Sequence, residues 1–312
     1  MPTDSHRPLD SILSATLLRQ SWRQTDAGTV ILFALLAAIV LWCLGCSNGT
    51  QQTTSSSQMS SAKTQADPEE LTAAEMKLER EYAIGPVTAR NLEYRIDWQY
   101  TDPSGSIKDF WVQDDSVFLV DDHNNLTRVR REEGDRLWRL PVAGPIDEIC
   151  GIRYMPNVQR VAVITGGHIY IHDSAGGSML AKQMLQKIAA TNALAFGPYL
   201  IYGARSGEVM WQAYAAGSEW RGFKVAHAVE VAPILDDNYV ITVGNDGNLV
   251  ILSADSAHLF WSHKMQDDVV ASPAVGNDAV YIASLDQHLR GYDLPTGRKM
   301  WDVLFDQPLR DN

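Results

Sequence analysis

The segment from Ala279 to Val303 reads AVYIASLDQHLRGYDLPTGRKMWDV. Its run Val280-Tyr281-Ile282-Ala283 has the β-branched and aromatic composition of a strand, and a polar turn around Asp286 follows. A second apolar run, the turn Thr296-Gly297 and a further run that contains Trp301 complete the segment. Short strands separated by tight turns predict a small antiparallel sheet.

The same organisation recurs upstream at a nearly constant interval. One large apolar residue stands every 40 to 42 residues, at Trp98, Trp138, Leu180, Trp220, Trp261 and Trp301. Leucines lie twelve residues before three of these positions, at Leu126, Leu249 and Leu289. Four-stranded propeller blades repeat with this period. The sequence therefore predicts an all-β fold over residues 92–312, a β-propeller of four-stranded blades of about 40 residues with five visible repeats.

The recurring large residues have a packing role in this interpretation. Blades diverge outward from the propeller axis, so one bulky side chain near each outer strand fills the widening wedge between blades. The prediction covers Trp98, Trp138, Leu180, Trp220, Trp261 and Trp301. Trp111 and Trp211 lie outside the register and are better candidates for exposed contacts, although packing is preferred for both.

The number of blades stays open at this stage. Five complete units end at Trp138, Leu180, Trp220, Trp261 and Trp301. Residues 94–100 either supply an edge strand to the final blade or begin an incomplete one. A closed five-bladed ring is the first alternative, because closure removes exposed sheet edges. Six blades or an open array completed by another chain are the others.

An apolar stretch precedes the repeats. Thr29 to Cys46 reads TVILFALLAAIVLWCLGC, follows three arginines and contains no charge. This pattern indicates an export signal or a membrane anchor within residues 1–46. Because positive charge lies on the N-terminal side only, the positive-inside rule places the rest of the chain outside the cytoplasm.

The end of the apolar stretch resembles a bacterial lipobox. Gly45 and Cys46 match the motif, whereas Cys43 stands where leucine is usual. The resemblance implies lipid attachment at Cys46 and a place at the outer membrane or its periplasmic face. The alternative is an uncleaved single-pass anchor in the inner membrane.

Two further segments connect the anchor to the repeats. Residues 47–66, rich in Ser, Thr and Gln, predict a flexible linker. Residues 67–91 predict a short amphipathic helix and a connector. The helix begins at Asp67-Pro68 and ends at Gly85-Pro86. Its apolar stripe consists of Leu71, Ala74, Leu78 and Tyr82.

The final repeat resembles that of pyrroloquinoline-quinone-type propellers. The matching positions are Val280, Tyr281, Asp286, Leu289, Gly291, Tyr292, Asp293, Thr296, Gly297 and Trp301. One branch of that family contains quinone-dependent dehydrogenases, which have eight blades, an adjacent-cysteine disulfide and a calcium site. The other is the BamB-like lipoprotein branch, whose anchor, tether and non-catalytic propeller present a protein-binding face. The layout of this chain resembles the second branch.

Charge and the remaining motifs favour binding over catalysis. Lys and Arg total 26 against 38 Asp and Glu, a net charge of −12, which disfavours nucleic-acid binding. His168 and His172 would stand about 13 Å apart on a strand, too far to share a metal ion. Cys150 is interpreted as a packed strand residue. Acidic pairs at 114/115, 121/122, 236/237 and 267/268 would bind a cation or basic partner only if several reached one mouth of the ring.

These features predict a protein that is not an enzyme, without catalytic residues, cofactor or metal. We expect it to bind or scaffold a protein partner in the cell envelope, with its membrane contact through the N-terminal anchor. The alternative is a small-molecule or polysaccharide sensor, or a degenerate quinone-type enzyme, that uses the propeller mouth.

Overall fold

The computed structural model describes residues 15–19, 76, 77, 79, 80, 84–104 and 106–309. Cys46, the linker 47–66 and the helical stripe from Leu71 to Tyr82 lie outside the described residues. The chain divides into two compact units, one of which includes Tyr100–Asn312 and the other Thr16–Gln99. No helix in the described part of the chain is both long and apolar enough to cross a membrane.

The described residues of the smaller unit include a short helix after Gly85 and most of a two-stranded sheet. Strand β1 (Ala15–Arg19) pairs with β2 (Arg95–Tyr100), and helix α1 spans Pro86–Asn91. Gly85 is the N-cap of α1, and proline in the first turn loses no hydrogen bond because that turn leaves its N–H groups free. The sequence predicts Gly85-Pro86 only as a helix end, but the pair also begins a helix. Trp98 lies in β2, which belongs to none of the four-stranded sheets among the described residues.

The larger unit contains five four-stranded antiparallel sheets, which confirms the predicted all-β repeat. Each sheet uses four consecutive strands in chain order, and we call these sheets blades 1 to 5. Blade 1 comprises β3 (Asp109–Gln113), β4 (Ser116–Val120), β5 (Asn125–Arg130) and β6 (Arg136–Pro141). Blade 2 comprises β7 (Ile149–Met155), β8 (Arg160–Thr165), β9 (His168–Asp173) and β10 (Met179–Met184), with a short 3-10 helix at Pro156–Val158. Blade 3 comprises β11 (Ala189–Phe196), β12 (Tyr199–Ala204), β13 (Glu208–Ala213) and β14 (Ser218–Lys224). Blade 4 comprises β15 (Ile234–Asp236), β16 (Tyr239–Val243), β17 (Asn248–Ser253) and β18 (Leu259–Lys264). Blade 5 comprises β19 (Ala274–Gly276), β20 (Ala279–Ala283), β21 (His288–Asp293) and β22 (Lys299–Leu304).

The second strand of each internal blade is buried on both of its faces. In β8, Val163 packs in a cluster with blade 1, whereas the adjacent Ile164 packs in a cluster with blade 3. Because side chains alternate along a strand, a sheet held between two others needs apolar residues at successive positions. This requirement explains continuous apolar runs such as Val161 to Ile164 in the sequence.

Four clusters of buried apolar side chains join consecutive blades. They lie between blades 1 and 2, 2 and 3, 3 and 4, and 4 and 5. Among the described residues, none of these clusters joins blade 5 to blade 1. Of the alternatives that the sequence leaves open, the structure therefore favours an open array over a closed five-bladed ring.

Every one of these four interfaces contains the same type of hydrogen bond. A side-chain N–H of one blade donates to the backbone carbonyl that directly follows the third strand of the next blade. The pairs are Trp138 Nε1 to Ser174 O (2.8 Å), Gln183 Nε2 to Tyr214 O, Trp211 Nε1 to Ala254 O (2.9 Å) and Trp261 Nε1 to Leu294 O (2.7 Å). A buried carbonyl without a partner would be costly, so this bond fixes how consecutive blades align.

Two residues of the predicted register occupy a different position. Trp138, Trp261 and Trp301 lie opposite the fourth residue of their third strand, but Ala181 and Arg221 take this position in blades 2 and 3. Leu180 and Trp220 stand one residue earlier, where the pairing shifts register in every blade. This β-bulge adds one residue to the outer strand. Residues at a nearly constant spacing in sequence therefore fall at two different positions, either in the bulge or directly after it.

Blade 3 supplies its interface tryptophan from another strand. Trp211 lies on β13, is fully buried and makes the bond that Trp138 and Trp261 make elsewhere. Arg221, in the tryptophan position of β14, donates to Ser256 O of blade 4 at 2.7 Å. Trp220 is exposed at the rim, where it stacks on Tyr199 with ring centroids 4.6 Å apart.

Candidate partner-binding face

The loops between blades and the central hairpins of the blades meet at one end of the strands. In each blade, the backbone N–H of the residue after the fourth strand donates to a carbonyl in the hairpin between the second and third strands. The donors are Val142, Leu185, Val225, Met265 and Phe305. We call this end of the larger unit the loop face; it consists of the interblade loops 142–148, 185–188, 225–233 and 265–273 and the hairpins 121–124, 166–167, 205–207, 244–247 and 284–287.

Apolar side chains are exposed on three of these interblade loops. Ile146 is 96% exposed, and Ile188 and Val270 are each more than half exposed. A single exposed apolar residue needs no explanation, but three at the same end of the larger unit are a feature of protein-binding surfaces. The loop face therefore offers separate apolar contact points for a partner.

The loop that carries Ile146 is held rigidly. Asn124 Nδ2 donates to the carbonyls of Gly144 (2.6 Å) and Asp147 (2.8 Å). Asp147 accepts hydrogen bonds from the Gly144 N–H (2.8 Å) and from the Tyr170 hydroxyl (2.9 Å). Because the loop is already ordered, a partner that binds Ile146 does not have to order it.

Charges of both signs surround these apolar residues. Glu148 pairs with Arg205 of blade 3 at 3.0 Å, and Asp246 pairs with Lys264 at 3.2 Å. A hydrogen bond from Ser206 lowers the pKa of Glu208, burial opposes this shift, and Lys187, 3.1 Å away, lowers the pKa further. A mixed polar rim around apolar contacts is the usual composition of a protein interface.

The hairpin of blade 5 is fixed by a nearly buried ion pair. Arg290 Nη2 lies 2.8 Å from Asp286 Oδ2, and both side chains are less than one-tenth exposed. Burial raises the pKa of Asp286, but hydrogen bonds from Arg290 and Ser284 outweigh this effect and lower the pKa to about 2. Asp286 is therefore a structural anion rather than a free ligand.

The four acidic pairs do not collect at one mouth. Pairs 121/122 and 267/268 lie on the loop face, whereas pairs 114/115 and 236/237 lie in turns at the opposite end of the strands. Asp121 is buried and accepts hydrogen bonds from the backbone N–H groups of His123 and Asn125. The sequence predicts binding of a cation or a basic partner only if several pairs reach one mouth of the ring, and these pairs do not.

The remaining candidate residues have structural surroundings. His168 and His172 both lie on β9, and the buried His172 places Nδ1 2.8 Å from Gly177 O. Cys150 is half-buried on β7, and burial raises the pKa of its thiol, which disfavours the reactive thiolate. Within the described ranges, no three His, Cys, Asp or Glu side chains cluster as they would around a metal ion.

Sequence reasoning missed the exposed apolar residues of the loop face. Gly144-Pro145-Ile146-Asp147 places an isoleucine between turn-forming and acidic residues, and Lys187-Ile188 is a similar case. An apolar residue in an otherwise polar connection was the available signal. Such a residue lies in a loop and not in a strand, so a search for alternating patterns does not find it.

The sequence matches found among known proteins share one description. Residues 200–310 match the family described as outer membrane protein assembly factor BamB. Proteins of that description from Francisella salina and Francisella tularensis subsp. tularensis are each 29% identical over 69 residues, or 22% of this chain. These segments span 13% and 15% of the relatives, so the chain matches only a small part of their length.

Solved structures show the fold over a larger part of the chain. BamB from Moraxella catarrhalis is 18% identical with a TM-score of 0.54 and covers 69% of each chain. Sqt1 from Saccharomyces cerevisiae is 10% identical with a TM-score of 0.56 and covers 70% of this chain and 67% of its own. The WD40 domain of Neurospora crassa Pan2 is 10% identical with a TM-score of 0.52, over 66% of this chain and 68% of its own. These likenesses show a β-propeller arrangement.

Proposed function

We propose that this chain, whose residues 200–310 match the BamB family and whose fold is similar to that of BamB, binds or scaffolds a protein partner in the cell envelope. The role is non-catalytic and extracytoplasmic, in the assembly of outer-membrane proteins. The observation that carries the proposal is the loop face, where Ile146, Ile188 and Val270 project from three of the four interblade loops. The matches to outer membrane protein assembly factors support the class of partner.

The blades would serve as a rigid platform for these contacts. The hydrogen bonds of Asn124 and Asp147 hold the Ile146 loop, and buried clusters on either side hold blades 2 to 4. Apolar anchors on a pre-organised surface lose little conformational entropy on binding. A partner segment with small apolar pockets and both charge signs fits this surface.

The N-terminal sequence supports attachment to a membrane. An apolar stretch ending at Cys46 would hold the chain at the bilayer, and the Ser/Thr/Gln-rich residues 47–66 would act as a tether. A flexible linker of this length has an end-to-end distance of about 25 Å. Metabolic labelling with a tagged fatty acid should label the chain if a lipid is the anchor, and Cys46→Ala should abolish that label. If the apolar stretch itself spans the bilayer, neither the unchanged chain nor the variant should be labelled.

Site-specific photo-crosslinking in cells tests the partner-binding role. A photoreactive amino acid at Ile146 should crosslink to a component of the outer-membrane assembly machinery, identified by mass spectrometry. The matched control position is Val158, an exposed apolar residue in the turn at the opposite end of blade 2. Crosslinks of equal yield and identity at both positions, or none at Ile146, would contradict the proposal.

One observation favours a second candidate, recognition of a polysaccharide. The pairs Tyr199–Trp220 and Tyr239–Phe260 have ring centroids 4.6 and 5.0 Å apart on adjacent blades, and Trp220 and Phe260 are exposed. Exposed aromatic rings are suitable for stacking on the apolar face of a sugar. Calorimetric titration with peptidoglycan fragments should then give heat that the Trp220→Ala variant loses, and the absence of heat with the unchanged chain would reject this candidate.

A further inference from the structure

The inner strands of blades 2 and 3 each have one edge that no other strand covers. In the described sheets, β7 pairs only with β8, and β11 pairs only with β12. Backbone N–H and C=O groups on such an edge need other partners. Side chains supply these partners here, and one of them, Arg153, retains hydrogen-bonding capacity that the protein does not use.

Two side-chain amides satisfy the edge of β7. Gln113 of blade 1 donates from Nε2 to Ile152 O (2.6 Å) and accepts from the Tyr154 N–H at Oε1 (2.7 Å). Asn192 of blade 3 donates from Nδ2 to the same Ile152 carbonyl (3.0 Å) and accepts from the Ala193 N–H (2.8 Å). The oxygen and the nitrogen of each amide are therefore engaged within the protein.

Arg153 makes the corresponding contact to the edge of β11. Its Nε donates to the Ala193 carbonyl at 2.6 Å, across the interface between blades 2 and 3. This bond uses one of the five N–H donors of the guanidinium group and fixes its plane. Neither terminal nitrogen, Nη1 or Nη2, has a hydrogen bond or an ion pair with any residue that the structure describes.

The charge of Arg153 is not neutralised by an ion pair. Burial lowers the pKa of Arg153, and the carboxylate of Asp114, in the turn after β3, opposes this shift from beyond the 4.0 Å limit of an ion pair. The guanidinium nevertheless stays protonated, because arginine does not lose its proton in proteins. A partly buried cation without a counterion is costly, and an anion bound at its free nitrogens would offset that cost.

The strand beside the guanidinium group consists largely of small residues. Four of the eight residues of β11 are alanine, and two of them, Ala193 and Ala195, pack in the cluster between blades 2 and 3. Their methyl groups take up little space and offer no polar contact to Nη1 or Nη2. On β7, Gly151 lets the Asn192 side chain approach, since a Cβ atom there would lie 2.2 Å from Asn192 Cγ.

We propose that Arg153 binds an oxyanion through Nη1 and Nη2 at the inner edges of blades 2 and 3. Two coplanar donors match two oxygens of a carboxylate or phosphate group and form parallel charge-assisted hydrogen bonds. Arg153 lies near the end of β7 that is opposite the loop face. The site is therefore separate from the loop face, and the inference does not depend on the proposed partner.

A single bidentate contact sets the expected strength. The net charge of −12 repels an anion at long range, so the affinity must come from the local contact. We expect a dissociation constant of about 1 mM. Binding should be selective for oxyanions over chloride, because chloride cannot accept two parallel hydrogen bonds on separate oxygens.

Protection of arginine from chemical modification tests this inference on the full chain in a non-ionic detergent. Phenylglyoxal should modify Arg153, and about 20 mM sodium phosphate or sodium acetate should slow that reaction about 20-fold relative to sodium chloride of equal ionic strength. Peptide mass spectrometry measures the rate at each arginine. The matched control is Arg221, which donates from Nη1 to Ser256 O (2.7 Å) of the next blade but is exposed, and its rate should not change.

The two anions distinguish the sources of the ligand. Protection by phosphate alone assigns a phosphate group, protection by acetate alone assigns a carboxylate, and protection by both assigns oxyanions in general; each supports the inference. An Arg153 that does not react, that neither anion protects, or that is protected no more than Arg221 overturns it.

Calorimetric titration of variants gives a second readout. Arg153→Gln should weaken binding of the protecting anion by about 10-fold or more, whereas Arg153→Lys, which keeps the charge without the paired donors, should weaken it by about 3-fold. Arg221→Gln should leave binding unchanged. Circular dichroism shows whether each variant folds. Unchanged anion binding in a folded Arg153→Gln variant, even with a lower melting temperature, would limit Arg153 to joining blades 2 and 3 and overturn the inference.

Discussion

Blade 4 and blade 5 place equivalent residues in opposite environments. On the far side of blade 4, Leu249 is fully buried and Met265 is 3% exposed, because blade 5 covers them. On the far side of blade 5, Leu289 is only partly buried and Phe305 is 42% exposed. The two blades share strand order, bulge position and turn chemistry, so the difference comes from the neighbour and not from the blade itself.

This comparison shows how stability is distributed in a repeat protein. A single four-stranded sheet cannot bury both of its faces, and each interface contributes a separate term to the free energy of unfolding. Substitutions between blades should therefore lower the free energy of unfolding strongly. Matched substitutions on the far side of blade 5 should lower it only slightly. The following predictions test that difference.

The largest effect is expected from an interface tryptophan. Trp138 is 8% exposed and donates to Ser174 O, so Trp138→Ala removes both packing and a buried hydrogen bond. We expect it to lower the free energy of unfolding by about 3 kcal/mol. Trp301→Ala, the matched variant on the far side of blade 5, should cost about 1 kcal/mol or less. Urea unfolding measures both losses, and equal losses would contradict the comparison.

A smaller effect is expected from the turn that receives Trp138. Gly177 has φ +75°, and a Cβ atom there would lie 2.4 Å from Leu140 Cδ2 and 2.9 Å from the Trp138 ring. Gly177→Ala should therefore cost about 2 kcal/mol through backbone strain and a steric clash. Gly197 has φ +53° with no atom within 4 Å of the added Cβ, so Gly197→Ala shows the strain alone, about 1 kcal/mol. If Gly177→Ala lowers the free energy of unfolding no more than Gly197→Ala does, the neighbouring side chains can move to relieve the clash.

A pH-dependent loss of stability is expected at the interface of blades 1 and 2. Burial lowers the pKa of His172, and hydrogen bonds with the carbonyls of Gly177 and Val142 oppose this only in part. The unfolded chain then binds a proton more readily than the folded chain, so stability is complete above the unfolded pKa of about 6.5 and falls below it. The slope below that pH cannot exceed about 1.4 kcal/mol per pH unit for one group.

Variants separate this histidine from the other titrating groups. His172→Gln should flatten the slope between pH 7 and 5, whereas the exposed His227→Gln should leave it unchanged. Carboxylates with pKa values of about 2, such as Asp286, contribute stability that is lost only at lower pH. An unchanged slope in His172→Gln would assign the pH dependence to other groups.

The smallest effect is expected on the loop face. Glu148 and Arg205 form an ion pair whose side chains are both more than half exposed. Glu148→Gln should change the free energy of unfolding by less than about 0.5 kcal/mol. The same variant should change the yield of crosslinks from Ile146 if this pair lies at the rim of the partner interface, which a parallel crosslinking assay measures.

Much of the fold could be predicted from residue spacing, and the error in that prediction has a definite cause. The strands and turns of blade 5 follow directly from Val280 to Ala283 and Thr296-Gly297. Leu180 and Trp220 fitted the 40-residue interval. A bulge in every outer strand nevertheless places them one residue before the position that Trp138, Trp261 and Trp301 occupy. A bulge depends on the pairing between strands, and spacing along one chain does not reveal it.

The site was less predictable because it depends on contacts between distant segments. Trp211 takes over the interface role only because Arg221 occupies the tryptophan position in β14. The exposure of Phe305 likewise depends on whether a blade lies beside it. Acidic pairs that look equivalent in sequence separate to two ends of the strands. Two of them lie at the end of the first strand of a blade, and the others follow a second or a fourth strand, which runs in the opposite direction.

Oxidative labelling of tryptophans, read by peptide mass spectrometry, tests the central claim most directly. The claim is that the next blade covers the far side of each of blades 1 to 4, whereas the far side of blade 5 is exposed. We predict faster modification of Trp301 than of Trp138 and Trp211, which are buried. Protection of Trp301 equal to that of Trp211 would contradict the account.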